Sequence, residues 1–307
     1  MSSRKNPSKG ILVFVSGLVV AALLGMHTLI PTTRGLALVV ESVLPWSWVL
    51  LAVLALATLI RFSVVSVIGL LVPCLVWGSM FGVYLRPAAE AESADLVVAT
   101  HNVGARLPQP TATAQNIIAE EPDIVAIQEI ESLSGQIITE QLSEHYEHAR
   151  SAESLGVWSK WPLSKPEEID LGMEWPRAFA TTVSTDHGDV RFYAVHLPSV
   201  RPGAESLRNK ALDTLADVIE KDPAEHVIVA GDFNTAYSDR YFARLDDMLV
   251  ETREAVGGGF GYTWPSVFPV TRLDHVMVRG LTPVSDEVLP RGTSDHRAVL
   301  TRLDLGD

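Results

Sequence analysis

The stretch His226-Val227-Ile228-Val229-Ala230-Gly231-Asp232-Phe233-Asn234 decides the reading of this chain. Its β-branched run predicts a buried strand. Asp232 and Asn234, two apart on extended backbone, face the same side. Gly231 lets another group approach the backbone closely. The stretch therefore sets a potential base and a neutral hydrogen-bond donor at the C-terminal lip of a buried strand. An ordinary strand followed by a turn would read the same way, so the decision rests on what surrounds it.

Upstream and downstream, apolar β-rich runs alternate with amphipathic stretches. Strands are expected at Leu96–Thr100, Ile124–Ile127, Gly156–Ser159, Ala178–Ser184, Val190–His196, Leu273–Val278 and Ala298–Leu303. Helices are expected at Ala112–Glu120, Leu133–His145 and Ala204–Lys221, the last with Leu207, Leu212, Leu215, Val218 and Ile219 on one face. Asp186-His187-Gly188-Asp189 reads as the turn joining two of the strands. Many strands with helices between them suggest two packed sheets with helices outside.

The first part of the chain differs in kind. Of 24 Lys and Arg and 37 Asp and Glu, only five and one fall in residues 1–85, which leaves 19 and 36 in residues 86–307, a net charge of −17. Residues 11–30, Leu44–Ile60 and Phe62–Tyr84 are three apolar stretches of near-membrane length. They are read as about three transmembrane helices forming a membrane anchor (1–85), followed by a short acidic, Ala-rich linker (86–94) and a catalytic domain (95–307). The first stretch also fits a signal peptide. Arg4, Lys5, Lys9 and Arg61 favour a cytoplasmic N-terminus, and three spans then put the acidic domain outside the cytoplasm of a multi-pass cell-membrane protein; Arg34 and Arg86 fall on the other side of that count. Among ionisable groups the spans hold little beyond His27, which favours an anchor over a transport path. Cys74, the single cysteine, lies in the third stretch, so the soluble part uses no disulfide.

Polar groups recur where the expected strands end: Asn102, Glu129, His196, Asp232 with Asn234, Asp274, and Asp295-His296. Each has an ordinary structural explanation. Asn102 can shape a turn, Glu129 can be a solvated strand end, His196 a satisfied core histidine, Asp274-His275 a surface pair and Ser294-Asp295 a turn cap. Their shared position at strand ends favours a site. Oxygen donors without thiolates suit Mg²⁺ or Mn²⁺. A His with a partner Asp can be held in one tautomer and, as a cation, stabilise a phosphoryl oxygen. A further Asp can orient or deprotonate water. These are the needs of phosphoester hydrolysis.

An ordered series of segments carries a resemblance: Thr100-His101-Asn102-Val103, Ile127-Gln128-Glu129, Gly156-Val157-Trp158-Ser159-Lys160-Trp161-Pro162-Leu163, Val195-His196-Leu197, Gly231-Asp232-Phe233-Asn234, Tyr262-Thr263-Trp264-Pro265, Arg272-Leu273-Asp274-His275-Val276 and Ser294-Asp295-His296. The chain from about residue 95 onward resembles the DNase I-like endonuclease/exonuclease/phosphatase superfamily. That resemblance implies a four-layered α/β sandwich and metal-dependent hydrolysis. It implies that Glu129 binds the metal with Asn102 and Asp295 nearby, and that Asp232 activates or aligns water. Asn234 would hold phosphate and nucleophile, His296 oriented by Asp274 would contact the scissile phosphate, and His196 would stand on the phosphate or leaving-group side. Some nucleases of the superfamily carry a second acid where Gly104 stands here, so the resemblance supplies no second metal ligand at that position. Arg177 and Arg208 read as surface salt-bridge partners that could also assist with phosphate.

The net charge opposes extended nucleic-acid binding, while a short tether to apolar helices favours a phospholipid or other envelope phosphoester, with the bilayer as the other contact and no protein partner evident. A membrane-tethered nuclease is the main alternative. A catalytically silent binding domain is a third reading; its mark would be loss of Glu129, Asp232, Asn234, Asp274 or His296, and all five are present.

Overall fold

A computed structural model describes residues 10–88, 94–104, 107–199 and 205–306. The charges of Arg4, Lys5 and Lys9, most of the linker and Ala204 lie outside the described residues. The chain divides into two units, one ending at Leu85 and one beginning at Arg86.

The first unit is helical: α1 (Ile11–Gly25), α2 (Leu36–Ser42), α3 (Trp48–Ile60) and α4 (Val64–Phe81). Ser63 caps α4, accepting from Ser66 N while Ser66 Oγ accepts from Ser63 N. Gly17 and Gly69 bring α1 and α4 into backbone contact, since a Cβ on either would overlap the other helix's main chain. The expectation of three spans is reduced here. Among the described residues one helix, Val64–Leu85 (22 residues), is long and apolar enough to cross a membrane. The segments Thr33–Ser42 and Leu44–Ile60 make a second only as a pair bent by 64°, and Ile11–Gly25 falls short of the length. Hydropathy counts apolar residues but does not register that α1 stops at Gly25 or that the chain bends between Ser42 and Leu44.

The second unit contains β1 (Leu96–Asn102), α5 (Pro110–Ile118), β2 (Ile124–Gln128), α6 (Leu133–His145), β3 (His148–Ala152), β4 (Leu155–Ser159), β5 (Glu167–Glu168), β6 (Ala178–Thr185), β7 (Gly188–His196), α7 (Glu205–Lys221), β8 (Val227–Asp232), α8 (Ala243–Asp246), β9 (Val250–Glu251), α9 (Thr252–Val256), β10 (Asp274–Arg279), β11 (Thr282–Val288) and β12 (Val299–Asp304). Two six-stranded sheets form, ordered β11-β12-β1-β2-β4-β3 and β5-β6-β7-β8-β10-β9. One apolar cluster, including Val98, Ala126, Phe192, Ile228 and Val276, fills the space between them. A second seals the β8 sheet against α7, and a third seals the β1 sheet against α5 and α6. The result is the expected four-layered α/β sandwich.

Each sheet contains one parallel pair, β1 with β2 and β7 with β8, joined by the crossover helices α5 and α7. Register then fixes the site. Asn102 pairs Gln128, and His196 pairs Asp232, so the parallel strands finish together at one edge. Antiparallel β10 enters at that edge, with Asp274 opposite Asp232. Antiparallel β12 begins beside the end of β1, Val299 opposite Thr100, so the segment before it, residues 294–296, reaches the same place. β3, β9 and β11 escape sequence reading because they are short, polar or at sheet margins, where no alternating apolar face is required.

Candidate active site

Asp232 is the hub of the strand-end cluster. Its Oδ2 accepts from Asn102 Nδ2 (2.9 Å) and Asn234 Nδ2 (3.0 Å), and its Oδ1 accepts from Asn234 N (2.8 Å). Asn234 also donates to Leu197 O at 2.9 Å. Local backbone makes this possible. Gly231 sits at φ 148°, where any Cβ would overlap the Val195 carbonyl oxygen. Asn234 and Glu129 take positive φ (48° and 69°), which turns the chain sharply as it leaves β8 and β2.

Three residues gather on one side of Asp232. Asn102 Nδ2 reaches Glu129 Oε1 at 3.2 Å, so one amide spans two carboxylates. His196 Nε2 lies 3.7 Å from Glu129 Oε1 and 3.8 Å from Asp232 Oδ2. Burial pushes the His196 imidazole down to about 3, with Arg177 and His296 adding to the shift, so it is neutral and these separations are not ion pairs. Arg177 stacks over Trp175 (5.2 Å) and sets Nη1 3.2 Å from His196 Nδ1. It therefore stands behind a site histidine.

On the other side is a dyad. His296 Nδ1 donates to Asp274 Oδ2 at 2.8 Å, and Nε2 lies 3.9 Å from Asp232 Oδ2. Burial alone would lower the His296 pKa, but Asp274 and Asp232 raise it to about 10, so it is a cation at neutral pH. Burial works against the Asp274 carboxylate; the imidazolium overrides it and holds that group below its usual range. Asp232 is pushed up to about 7, by burial first and by the Asp274 charge, against the opposing pull of His296. The dyad is held from the backbone as well. Ser294 Oγ donates to Asn102 O (2.7 Å) and accepts from His296 N (3.1 Å). Thr263 Oγ1 accepts from Leu273 N at 3.1 Å. Buried His101 sets Nε2 3.3 Å from His296 O, and burial lowers its pKa to about 4.

These contacts join seven of the eight anticipated residues: Asn102, Glu129, His196, Asp232, Asn234, Asp274 and His296. Asp295, next to His296 in the chain, lies beside Gly104, whose N donates to Asn102 Oδ1 at 3.0 Å. Asp295 is exposed, and a Cβ added at Gly104 would sit 3.2 Å from its Oδ1. An acid in place of Gly104 would meet that carboxylate at once. Asp274-His275 is no surface pair, since both are fully buried. Arg208 is no surface residue either. It is buried, pairing Asp239 at 2.7 Å and donating to Thr235 Oγ1 at 3.3 Å. Its partner lies too far along the sequence for local reading to find.

A hard cation fits the donor set. Glu129, Asp232 and Asp274, three carboxylates, gather with two cations, His296 and the Arg177 guanidinium behind His196, so carboxylate groups outnumber cations. Asp232, Asp274 and His296 also bring ligand-type atoms within 4.8 Å of one another. The Asp274–His296 hydrogen bond occupies two of that trio, which leaves Glu129, partly exposed, with Asp232 as the carboxylates turned toward an incoming ion.

A two-sheet α/β sandwich with carboxylates, an Asp–His dyad and amides at one sheet edge defines a phosphoesterase type of architecture. Residues 99–296 match the family model described as Endonuclease/Exonuclease/phosphatase family, and the chain belongs to that family. Solved structures agree at the level of fold. D. rerio TDP2 complexed with single strand DNA product is 20% identical, with TM-score 0.58 over 68% of this chain and 98% of that one. The endonuclease/exonuclease/phosphatase from Bacteroides vulgatus is 19% identical, with TM-score 0.57 over 70% and 100%. Its namesake from Beutenbergia cavernae is 21% identical, with TM-score 0.54 over 70% and 72%. No curated protein matches the chain.

Proposed function

We propose that the chain is a metal-dependent phosphoesterase held at a membrane by its apolar helices, acting on a phospholipid or other envelope phosphoester. The observation that carries this reading is the position of Asp232, bridged to Glu129 by the Asn102 amide on one side and facing the cationic Asp274–His296 dyad on the other. Glu129 would hold Mg²⁺ or Mn²⁺ with Asn102 and Asp295 nearby. The ion supplies charge neutralisation for the phosphoryl oxygens. Asp232 aligns the attacking water and takes its proton, with Asn234 fixing the carboxylate's orientation. His296, kept protonated by Asp274, faces the phosphate and offsets the charge that builds on its oxygens. Neutral His196 donates to a phosphoryl or leaving oxygen from the opposite side, with the Arg177 charge behind it.

Membrane attachment is supported by the Val64–Leu85 helix. With a cytoplasmic N-terminus, an odd number of crossings puts the catalytic unit outside the cell and an even number keeps it inside. The test is hydrolysis by the full chain in detergent micelles, with Mg²⁺ or Mn²⁺ and an EDTA control, of mixed phospholipids and of supercoiled plasmid in parallel. Metal-dependent headgroup release that disappears in Asp232→Asn supports the proposal. Nicking without headgroup release would sink the lipid reading in favour of a membrane-tethered nuclease, for which the structural likeness to a protein complexed with single strand DNA product speaks.

A further inference from the structure

Arg208 and His275 are buried, and the chemistry above uses neither. One comes from α7 and the other from β10, and they meet at a single residue, Thr235, which follows Asn234 in the chain. Thr235 is itself buried, and both its hydroxyl and its carbonyl are engaged. Arg208 Nη1 donates to Thr235 Oγ1 (3.3 Å), and that hydroxyl donates in turn to Phe233 O (2.7 Å), closing a bridge across Asn234. His275 Nε2 lies 2.9 Å from Thr235 O; a carbonyl can only accept, so this nitrogen carries a proton and donates it.

Both anchors are held in their turn. Arg208 Nη2 donates to Asp239 Oδ2 at 2.7 Å, and the guanidinium lies over the Tyr241 ring at 5.8 Å. Asp239 belongs to the segment that leaves the site: its Oδ1 accepts from Tyr241 N (2.9 Å) and its N donates to Ala236 O (2.9 Å). Arg208 therefore fastens that segment at residue 235 and again at residue 239. His275 packs edge-on against Phe233 (ring centroids 5.5 Å) and tilted on Phe242 (4.8 Å), with Nδ1 3.1 Å from Glu251 Oε1. Strand alternation turns His275 away from the site while Asp274, one residue earlier, enters it. One strand end thus supplies the dyad on one face and an anchor on the other.

The turn between them needs holding. Asn234 has φ 48°, a left-handed conformation that Asn tolerates better than most residues but that its surroundings must fix. Only in that conformation does its N reach Asp232 Oδ1 while its Nδ2 reaches Asp232 Oδ2 and Leu197 O. We propose that Arg208 and His275 are positioning residues for the site: acting through Thr235, they hold the turn that aims both Asn234 donors at Asp232. This rests on the phosphoesterase reading above and adds the part of the fold that orients its base.

The experiment uses the full chain in detergent micelles and cuts each link separately. Replacing Arg208 itself would strand buried Asp239, so its link is cut at Thr235. Thr235→Val keeps the shape and removes the hydroxyl, while Thr235→Ser keeps the hydroxyl. His275→Phe fills the space between Phe233 and Phe242 and removes the bond to Thr235 O. In metal-free protein the Asn234 amide hydrogen should exchange about 10-fold faster in Thr235→Val and in His275→Phe, with amides in the middle of β8 within about twofold of wild type. With Mg²⁺ and a phosphoester that the wild type hydrolyses, kcat should fall about 10-fold and KM stay within about twofold. Thr235→Ser should recover both the protection and the turnover. Unchanged exchange at Asn234 in either variant overturns the role of the residue whose link it cuts. An equal rise along the whole of β8, wild-type kcat in the variants, or a serine variant that recovers nothing overturns the proposal, because the two residues would then only stabilise the fold. The exchange readout needs no turnover. Localised exchange in a protein that hydrolyses nothing would remove the phosphoesterase reading and leave the hold on Asn234; turnover with unchanged exchange would do the reverse.

Discussion

Strand β10 separates two buried charged clusters that look alike in composition and differ in balance. On the site side, Asp274 joins Asp232, Glu129 and the imidazolium of His296, with the Arg177 guanidinium behind His196. In the other cluster, the neighbouring Arg272 and His275 join Glu251, Asp286 and Arg253. Arg272 Nε meets Glu251 Oε1 at 3.1 Å and its Nη2 meets Asp286 Oδ2 at 2.8 Å, Arg253 Nη2 meets Asp286 Oδ1 at 2.9 Å, and His275 bridges Glu251 (3.1 Å) and Thr235 O (2.9 Å). There two carboxylates face two guanidinium groups. Burial would raise the Glu251 carboxyl, yet Arg272 and His275 hold it down at about 2. In the site, burial first and the Asp274 charge with it push Asp232 up to about 7 despite His296. Burial of charge therefore does not mark a functional site by itself. Uncompensated charge does, because it costs stability that only a ligand restores.

Asp232→Asn should break the comparison most sharply. It removes the base, so turnover with Mg²⁺ should fall by about 10²–10⁴-fold. Because it also removes the poorly compensated carboxylate, the metal-free protein should melt a few degrees higher than wild type rather than lower. Loss of activity together with loss of stability would place Asp232 in the balanced, structural class. His296→Ala should lower turnover by about 10²–10³-fold through loss of the cation at the phosphate. Substrate-concentration curves should show this as a fall in kcat rather than a rise in KM.

Arg272→Met tests the other cluster. It leaves Glu251 and Asp286 short of a partner and should cost about 3–5 kcal/mol of stability, while the protein that remains folded keeps turnover within about threefold. A variant that melts normally but loses activity would mean that Arg272 serves the chemistry.

This contrast also explains what the sequence could show. Asn102, Glu129, His196, Asp232 and Asn234 were legible because each closes a strand or its turn, and strand ends follow from apolar periodicity. Helix α6 was legible to its termini, since Ser132 caps its start. Which strands lie side by side was not, and the two clusters consist of such pairings. Arg208 with Asp239 and Arg272 with Asp286 are joined only by the fold, so composition gave no sign that these arginines are buried. The exposure of Asp295 depends on the turn geometry of residues 294–296, which one sequence does not encode visibly. The bend between α2 and α3 was hidden because hydropathy averages over it.

The smallest effect is the most direct comparison of the clusters, a pH series of melting temperatures on metal-free protein. Asp232 has a folded pKa raised from 3.8 to about 7, so its contribution is present below the unfolded value and lost as pH rises toward 7. His296 is raised from 6.5 to about 10, so its contribution is full below 6.5 and lost as pH rises through 10. Both signs agree: stability should decline in two steps, the lower absent in Asp232→Asn and the upper absent in His296→Gln. Mg²⁺ should suppress the lower step, since a bound cation favours ionised Asp232. Arg272→Met should lower the whole curve and leave these two steps in place, but it removes the guanidinium that holds the buried Glu251 carboxyl down, so a further Glu251 titration should rise toward the window. A profile flat from pH 4 to 10 would show that the site holds no uncompensated charge, and the physical case for a cation between Glu129 and Asp232 would go with it.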